Sequence, residues 1–334
     1  MLYRFENCQL KFKNITTSKE YLYDIPKVSG VDFVTINKCG THIAFTAYDN
    51  DGESKGIFLC DLPNERLQKI YDKQAFDLMF DIFQKRLFFN SGNTINYIDL
   101  QTGKSTKLYK FSRITYAPIS LCQNDKGTYL SYHKWKSNRR RLYIYDLMEN
   151  TENDMGISFY EYNWIDEHRI IYSLCNGLVI LNVNTKKSER IISNTESLIK
   201  NYVDNNDKYN VLNKFKGIDL VVDNIDKPIF FNKRIYFEVF IASDEDKHIG
   251  IYSISNNKTD LQCHFASNQG LIRNYGILSD GETIYISITP NNLQKETINS
   301  GIIYLKNNLQ IENNGWFPVN TYTKPTVYEI IQGT

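Results

Sequence analysis

The sequence is poor in the residues that most functional signatures require. Its six cysteines (Cys8, Cys39, Cys60, Cys122, Cys175 and Cys263) are scattered with no Cys-x-x-Cys pair. That spacing fits neither a compact zinc site nor a small disulfide framework, and reduced, mostly buried thiols in a cytoplasmic protein are expected. Only five histidines are present, His42, His133, His168, His248 and His264, and none are paired at ligand spacing, so no metal is expected. No Gly-x-Ser-x-Gly, phosphate-binding loop or His-Glu-x-x-His occurs, so no catalytic residue is assigned and no cofactor is expected. The formal net charge of +1 gives no global electrostatic case for nucleic acid. No run approaches the roughly 18 apolar residues of a membrane-spanning helix. Met1–Glu6 carries charge where a signal peptide needs an apolar stretch. With 7 prolines and no Pro- or Gly-rich linker, residues 1–334 are expected to form a single domain.

What is abundant points to strand. The chain has 24 Tyr and 19 Phe, side chains that suit a pleated, half-buried surface. A four-strand rhythm then appears. Val31–Ile36, His42–Tyr48, Gly56–Leu62 and Glu65–Tyr71 are four short apolar strands separated by turn residues, the composition of one propeller blade. The order recurs through Phe76–Tyr109, Ile119–Leu147 (with a weak fourth strand), Ser158–Ser193, Lys227–Phe265 and Ile272–Asn313. Third strands end in a marker pair: Asn14-Ile15, Asp61-Leu62, Asp99-Leu100, Asp146-Leu147 and Asn182-Val183, spaced by 47, 38, 47 and 36 residues.

The N-terminus offers Leu2–Asn7, Leu10–Ile15 and Glu20–Ile25, three strands with no first. Thr326–Ile331 supplies the missing one, so N- and C-terminal strands close one blade and leave no open edge. The expected fold is therefore an all-β, seven-bladed β-propeller, with six blades as the alternative.

The turn-and-strand segments Asn37-Lys38-Cys39-Gly40-Thr41-His42-Ile43-Ala44-Phe45, Asn124-Asp125-Lys126-Gly127-Thr128-Tyr129-Leu130-Ser131 and Ser279-Asp280-Gly281-Glu282-Thr283-Ile284-Tyr285 resemble the repeat of TolB-like and WD40-like propellers. The resemblance spans nearly the whole chain and implies a fold rather than an activity. The Gly-His and Trp-Asp dipeptides of true WD40 repeats are missing, so their recognition rules do not transfer.

In such a fold, loops from second to third strand and from one blade to the next share a face, and binding residues are expected there. His133–Arg140 concentrates cations around a tryptophan, and Ser243–His248, Pro290–Ser300 and Trp316–Pro325 accompany it. Candidate binding residues are His133, Trp135, Lys136, Arg139, Arg140, His248 and Trp316. Residues 194–226 read as an insertion, because the marker spacing rises to 71 between Asn182 and Ser253. Leu198, Ile199, Tyr202 and Val203 suit one short amphipathic helix there, either a lid or an element packed on the blades. The expected function is a non-catalytic scaffold binding a protein or peptide, with an acidic partner suited to the cations. The alternative is a small-molecule enzyme (lyase, hydrolase or cyclase) with its site at the channel mouth.

Overall fold

A computed structural model describes residues 2–14, 19–111, 121–136, 139–159, 161–206, 210–217, 221–242, 247–255, 260–267, 271–278, 284–289, 301–304, 309–311, 317–318 and 327–328. In chain order the strands are β1–β3 (Leu2–Glu6, Gln9–Lys13, Glu20–Asp24), β4–β7 (Gly30–Ile36, His42–Tyr48, Ser54–Asp61, Arg66–Tyr71) and β8–β11 (Phe76–Phe80, Arg86–Ser91, Thr94–Asp99, Ser105–Lys110). Next come β12–β15 (Cys122–Gln123, Tyr129–Lys136, Arg139–Asp146, Thr151–Ser158) and β16–β19 (Tyr162–Trp164, Arg169–Leu174, Gly177–Asn182, Ser188–Ile192). Two helices, α1 (Thr195–Asp204) and α2 (Asn210–Asn213), precede β20–β23 (Val221–Phe231, Arg234–Ala242, Lys247–Ser255, Leu261–Ser267). The last strands are β24–β27 (Leu271–Leu278, Ile284–Thr289, Gly301–Tyr304, Leu309–Ile311), β28 (Phe317–Pro318) and β29 (Val327–Tyr328).

Among the described residues these strands form seven sheets, six of four strands and one of five, mostly in simple sequence order. Described residues of 1–154, with Phe317–Pro318, make one compact unit, and those of 155–314, with Val327–Tyr328, make another. Burial follows strand position. Second strands such as β5 and β9 are almost wholly buried, whereas the fourth strands β7 and β11 alternate between exposed and half-buried residues. Aromatic and aliphatic side chains fill the space between sheets: Leu10, Phe12, Ile43 and Phe45 form one cluster of the first unit, and Phe88, Leu130, Tyr132 and Tyr143 belong to another.

The repeat has a hydrogen-bond basis. The turns before several second strands carry an Asn or Asp whose side-chain oxygen accepts from backbone N–H groups further on. Asn37 Oδ1 accepts from Thr41 and His42, Asp81 Oδ1 from Lys85 and Arg86, and Asn124 Oδ1 from Thr128 and Tyr129. Gly40 and Gly127 close two of these turns at φ of 69° and 73°, a region costly for residues with a Cβ. The marker carboxylates and amide do the same for the next turn: Asp99 accepts from Gln101 and Thr102, Asp146 from Met148 and Glu149, and Asn182 from Asn184 and Thr185. The residue after each marker donates its N–H across the sheet, Leu62 to Thr41, Leu100 to Lys85, Leu147 to Thr128 and Val183 to His168. Short polar side chains that mimic a backbone turn therefore set the period. First strands share a further device, a bulge with one residue at positive φ: Phe33, Asp77 and Lys227, at 47°, 52° and 49°.

Four expectations need correction. The strand beside β1 is Phe317–Pro318, paired Tyr3↔Phe317 and Leu2↔Pro318, and not Thr326–Ile331. Val327–Tyr328 instead lies parallel to β24. A proline without an N–H is tolerated at such a sheet edge. The weak fourth strand after Leu147 is a full one, β15, of eight residues. Of the six thiols, which belong to no disulfide, Cys60, Cys122 and Cys263 are buried but Cys8, Cys39 and Cys175 are exposed.

The insertion at 194–226 is shorter than expected, because β20 starts at Val221, and it carries a second helical turn, α2. Asn194 caps α1, its side-chain oxygen accepting from the Ser197 N–H at 3.0 Å. Ile199 and Val203 of α1 are fully buried, and with Leu212 and Phe215 they join Ile171, Leu178, Ile225 and Phe237 in one apolar cluster of the second unit. The segment is a core element of that unit.

Candidate functional site

The basic segment forms a long hairpin. β13 runs through Lys136 and β14 begins at Arg139, with pairs His133↔Leu142, Lys134↔Arg141, Trp135↔Arg140 and Lys136↔Arg139. The segment expected as a loop is thus strand on both sides of Ser137-Asn138. Strand geometry then sorts its charges, because alternate residues face opposite sides.

On one side, Lys134 and Arg141 lie directly across from each other, a like-charge pair that costs stability unless neutralised. Acids on β15 neutralise them. Lys134 Nζ is ion-paired with Glu152, and the Arg141 guanidinium with Asp154 at 3.1 Å. The Lys134 ammonium also lies 4.1 Å from the ring centre of Tyr143, 5.1 Å from those of Tyr109 and Phe111, and 5.7 Å from that of Tyr132. Tyr109 donates its hydroxyl hydrogen to Glu152 Oε2 at 3.0 Å, and Tyr132 donates to Glu152 Oε1. Burial and this carboxylate raise both phenols, Tyr109 to about 12, so both remain protonated donors. The cage is filled by the chain's own lysine.

On the other side, Trp135 is 47% exposed. The Arg140 guanidinium carbon sits 5.6 Å from its ring centre, a cross-strand cation–π pair. Arg139, the first residue of β14, is exposed, and by the same alternation it lies on the Lys134–Arg141 side. His133 is not a surface ligand: it is 4% exposed, and burial, with a smaller contribution from Arg140, pushes its pKa down to about 4. Lys136 ends β13, and its side chain lies outside the described atoms. His248 pairs with Ile241 on β22 in the second unit, a strand position rather than the expected loop, and its side chain is likewise undescribed. Trp316 lies outside the described residues. The structure thus brings together Trp135 and Arg140 of the expected set, while Arg139 falls on the Lys134 side of the hairpin. Sequence reasoning missed Lys134, Glu152 and the cage, although alternation within Tyr-His-Lys-Trp-Lys, had the segment been read as strand, already assigns Lys134 and Trp135 to opposite faces.

Chemistry elsewhere is sparse. Ser253 Oγ lies 2.7 Å from His264 Nε2, but it also accepts from Arg234 Nε at 2.9 Å, and Ser253 is fully buried. No substrate reaches that hydroxyl, so the pair satisfies buried polar groups rather than forming a nucleophile. Among the described residues no group of three His, Cys, Asp or Glu side chains is placed to hold a metal ion. No helix among them is long and apolar enough to cross a membrane.

Four-stranded antiparallel sheets following one another along the chain, several with the same turn chemistry, mark a TolB-like β-propeller fold. Among solved structures the fold is similar to an oligogalacturonate lyase in complex with manganese (11% identity, TM-score 0.61, covering 93% of this chain and 84% of that one). It is also similar to the oligogalacturonate lyase of Vibrio parahaemolyticus (10% identity, TM-score 0.61, 93% and 85%). TolB from Acinetobacter baumannii is a third (10% identity, TM-score 0.50, 92% and 77%). No family model and no curated protein matches the sequence. At such identities the likeness establishes the fold alone.

Proposed function

We propose that this propeller is a non-catalytic scaffold that binds an acidic protein or peptide segment at the tip of the β13–β14 hairpin. One observation carries the reading: Lys134 and Arg141 are neutralised by Glu152 and Asp154, while the opposite side presents an exposed Trp135 stacked with Arg140, and exposed Arg139 begins the same strand as Arg140. Tryptophan and arginine are the residues that most often dominate interface energy. The test compares partner capture and affinity for the intact protein and for Trp135→Ala/Arg139→Ala/Arg140→Ala. Loss of about tenfold or more in affinity at unchanged fold supports the site, and undiminished affinity removes it. Binding is also expected to weaken as salt rises, since exposed charges are screened beyond about 10 Å at 0.1 M.

The same reading takes the seven sheets as seven blades of one domain, closed where β28 meets β1, in a cytoplasmic protein. Its support is the seven-sheet order and the Tyr3↔Phe317 pairing. Deleting residues 1–16 removes β1 and β2, with the buried Leu10 and Phe12, and exposes strand edges. Aggregation of that truncation is expected, and a monomeric protein of unchanged melting temperature would count against closure. The alternative enzyme reading rests on a lid-like insertion and on His133 and His248 sharing a face; α1 packs one face into a core, and His133 is buried.

A further inference from the structure

Glu238 sits in an apolar interface of the second unit. Alternation along β21 puts Tyr236, Glu238 and Phe240 on one face, and that face packs on Tyr275, Ile284 and Ile286 of β24 and β25. The Glu238 side chain is only 11% exposed. Directly across the β20–β21 ladder stands a second acid, Asp226. Two carboxylates so placed repel each other, and such a pair holds a proton more tightly than either acid does in water.

The countercharge comes from a bulge. The register of β20 against β21 shifts between Asp226 and Ile229, so Lys227 and Pro228 bulge from the ladder, and Lys227 adopts a φ of 49°. In a regular strand Lys227 would project to the face opposite Asp226. The bulge re-aims it, and its Nζ reaches Glu238 Oε2 at 2.8 Å. Tyr275, fully buried, donates its hydroxyl hydrogen to the Lys227 carbonyl oxygen, which ties the bulge to the next sheet. Among the described residues, the ionisable groups around Glu238 are therefore Asp226 and Lys227 of β20, Tyr236 of its own strand and Tyr275 of β24. From β22 the residue opposite it is Ile251, and β25 contributes only Ile284 and Ile286. Burial raises the Glu238 pKa, and Lys227 offsets only part of that rise.

We propose that Glu238 is a proton-operated latch on the Lys227 bulge. Ionised, it holds the Lys227 ammonium. On taking up one proton it donates a hydrogen bond to the Asp226 carboxylate across the ladder and releases Lys227 to solvent. No covalent bond forms or breaks beyond that to the added proton. The latch lies in the second unit and shares no residue with the β13–β14 hairpin, so it stands independently of the peptide-binding proposal.

The test follows the Glu238 carboxyl carbon by NMR in the full-length protein as the pH is varied, with the signal assigned through its own side-chain carbons. A midpoint above the ordinary 4.5 is expected. Asp226→Asn, which removes the second acid, is expected to lower that midpoint, and Lys227→Met, which removes the countercharge, to raise it. Between 4.5 and the folded midpoint the folded chain holds a proton that the unfolded chain has lost, so Glu238 adds stability as the pH falls through that window, and Glu238→Gln is expected to remove this gain. Release is read separately, from the rate of acetylation of Lys227 relative to Lys233, an exposed lysine in the turn between β20 and β21. At neutral pH that ratio is expected to be severalfold higher in Glu238→Gln, which stands in for the protonated acid, than in the unmodified protein. A Glu238 midpoint at or below 4.5 in the unmodified protein overturns the proposal whether or not the variants fold. An equal Lys227-to-Lys233 ratio in the two proteins overturns it as well.

Discussion

Lys134 and Glu152 form an ion pair inside a wall of aromatic rings, with both side chains only 18% exposed. The carboxylate is simultaneously held by Tyr109 and Tyr132, so its charge is hydrogen-bonded as well as paired. Pairs this enclosed are expensive to break one partner at a time. Glu152→Gln is expected to cost about 2 kcal/mol, because it leaves the Lys134 ammonium and the Arg141 guanidinium opposed across the hairpin with one acid between them. Lys134→Met is expected to cost less, since the rings retain an apolar neighbour and Glu152 retains its phenolic donors. A double-mutant cycle by chemical denaturation is expected to return a coupling of about 1–3 kcal/mol. Additive single costs would show that the cage is passive packing.

His133 gives the hairpin a pH dependence of definite sign. Its folded pKa, about 4, lies below the ordinary 6.5, so between those values the unfolded chain binds a proton that the folded chain refuses. The stability it contributes is therefore complete above about pH 6.5 and declines as the pH falls toward 4, by about 1.4 kcal/mol per pH unit. His133→Gln is expected to flatten this slope relative to the unmodified protein in denaturation series at successive pH values. Parallel slopes for the two proteins would show that His133 is protonated in the folded state.

The turn before β13 tests the origin of the repeat. Asn124 is fully buried, and its side-chain oxygen accepts from Thr128 and Tyr129 while its amide donates to Thr128 Oγ1. Asn124→Ala leaves those N–H groups buried without their acceptor, at an expected cost of about 2–3 kcal/mol. Asn124→Asp, the residue standing at Asp81 in the preceding sheet, keeps the acceptor and is expected to restore much of the loss. Thermal melting of the two variants separates acceptor loss from volume loss.

The features that were legible in the sequence are those written in local hydrogen-bond chemistry. Asp61, Asp99, Asp146 and Asn182 mark the period because each holds its own turn through N–H groups two or three residues on, and such contacts need no tertiary context. Asn37 and Asn124 were recognisable for the same reason. What escaped depends on alignment between distant strands. The cage draws Tyr109 from β11, Phe111 from just beyond it, and Tyr132, Lys134, Tyr143 and Glu152 from three strands of the next sheet, with no spacing that reports their convergence. His133–Arg140 reads as a loop in the sequence, yet Lys134 pairs with Glu152 of β15, whose own pattern, Thr-Glu-Asn-Asp-Met-Gly-Ile-Ser, is a poor strand in isolation. The strand beside β1 was assigned to the more apolar Thr326–Ile331, while a two-residue Phe-Pro pairing carries no sequence signal of its own.

The 194–226 segment offers the last test, because a lid and a core element respond in opposite ways to the same change. Ile199 and Val203 project from α1 into the cluster that includes Ile171, Ile225 and Phe237, and Tyr202 Oη accepts the Cys263 N–H at 3.3 Å. Ile199→Ala removes buried methyl groups that close-packed neighbours recover only in part, so a loss of about 3 kcal/mol is expected. For a lid the same substitution would leave global stability nearly unchanged, within about 0.5 kcal/mol, because the helix would already sample an open state. Hydrogen exchange distinguishes the two independently. Amides of the last turn of α1 are expected to exchange with those of β21 and β22, as one cooperative element of the second unit, rather than at the faster rate of a segment that opens alone.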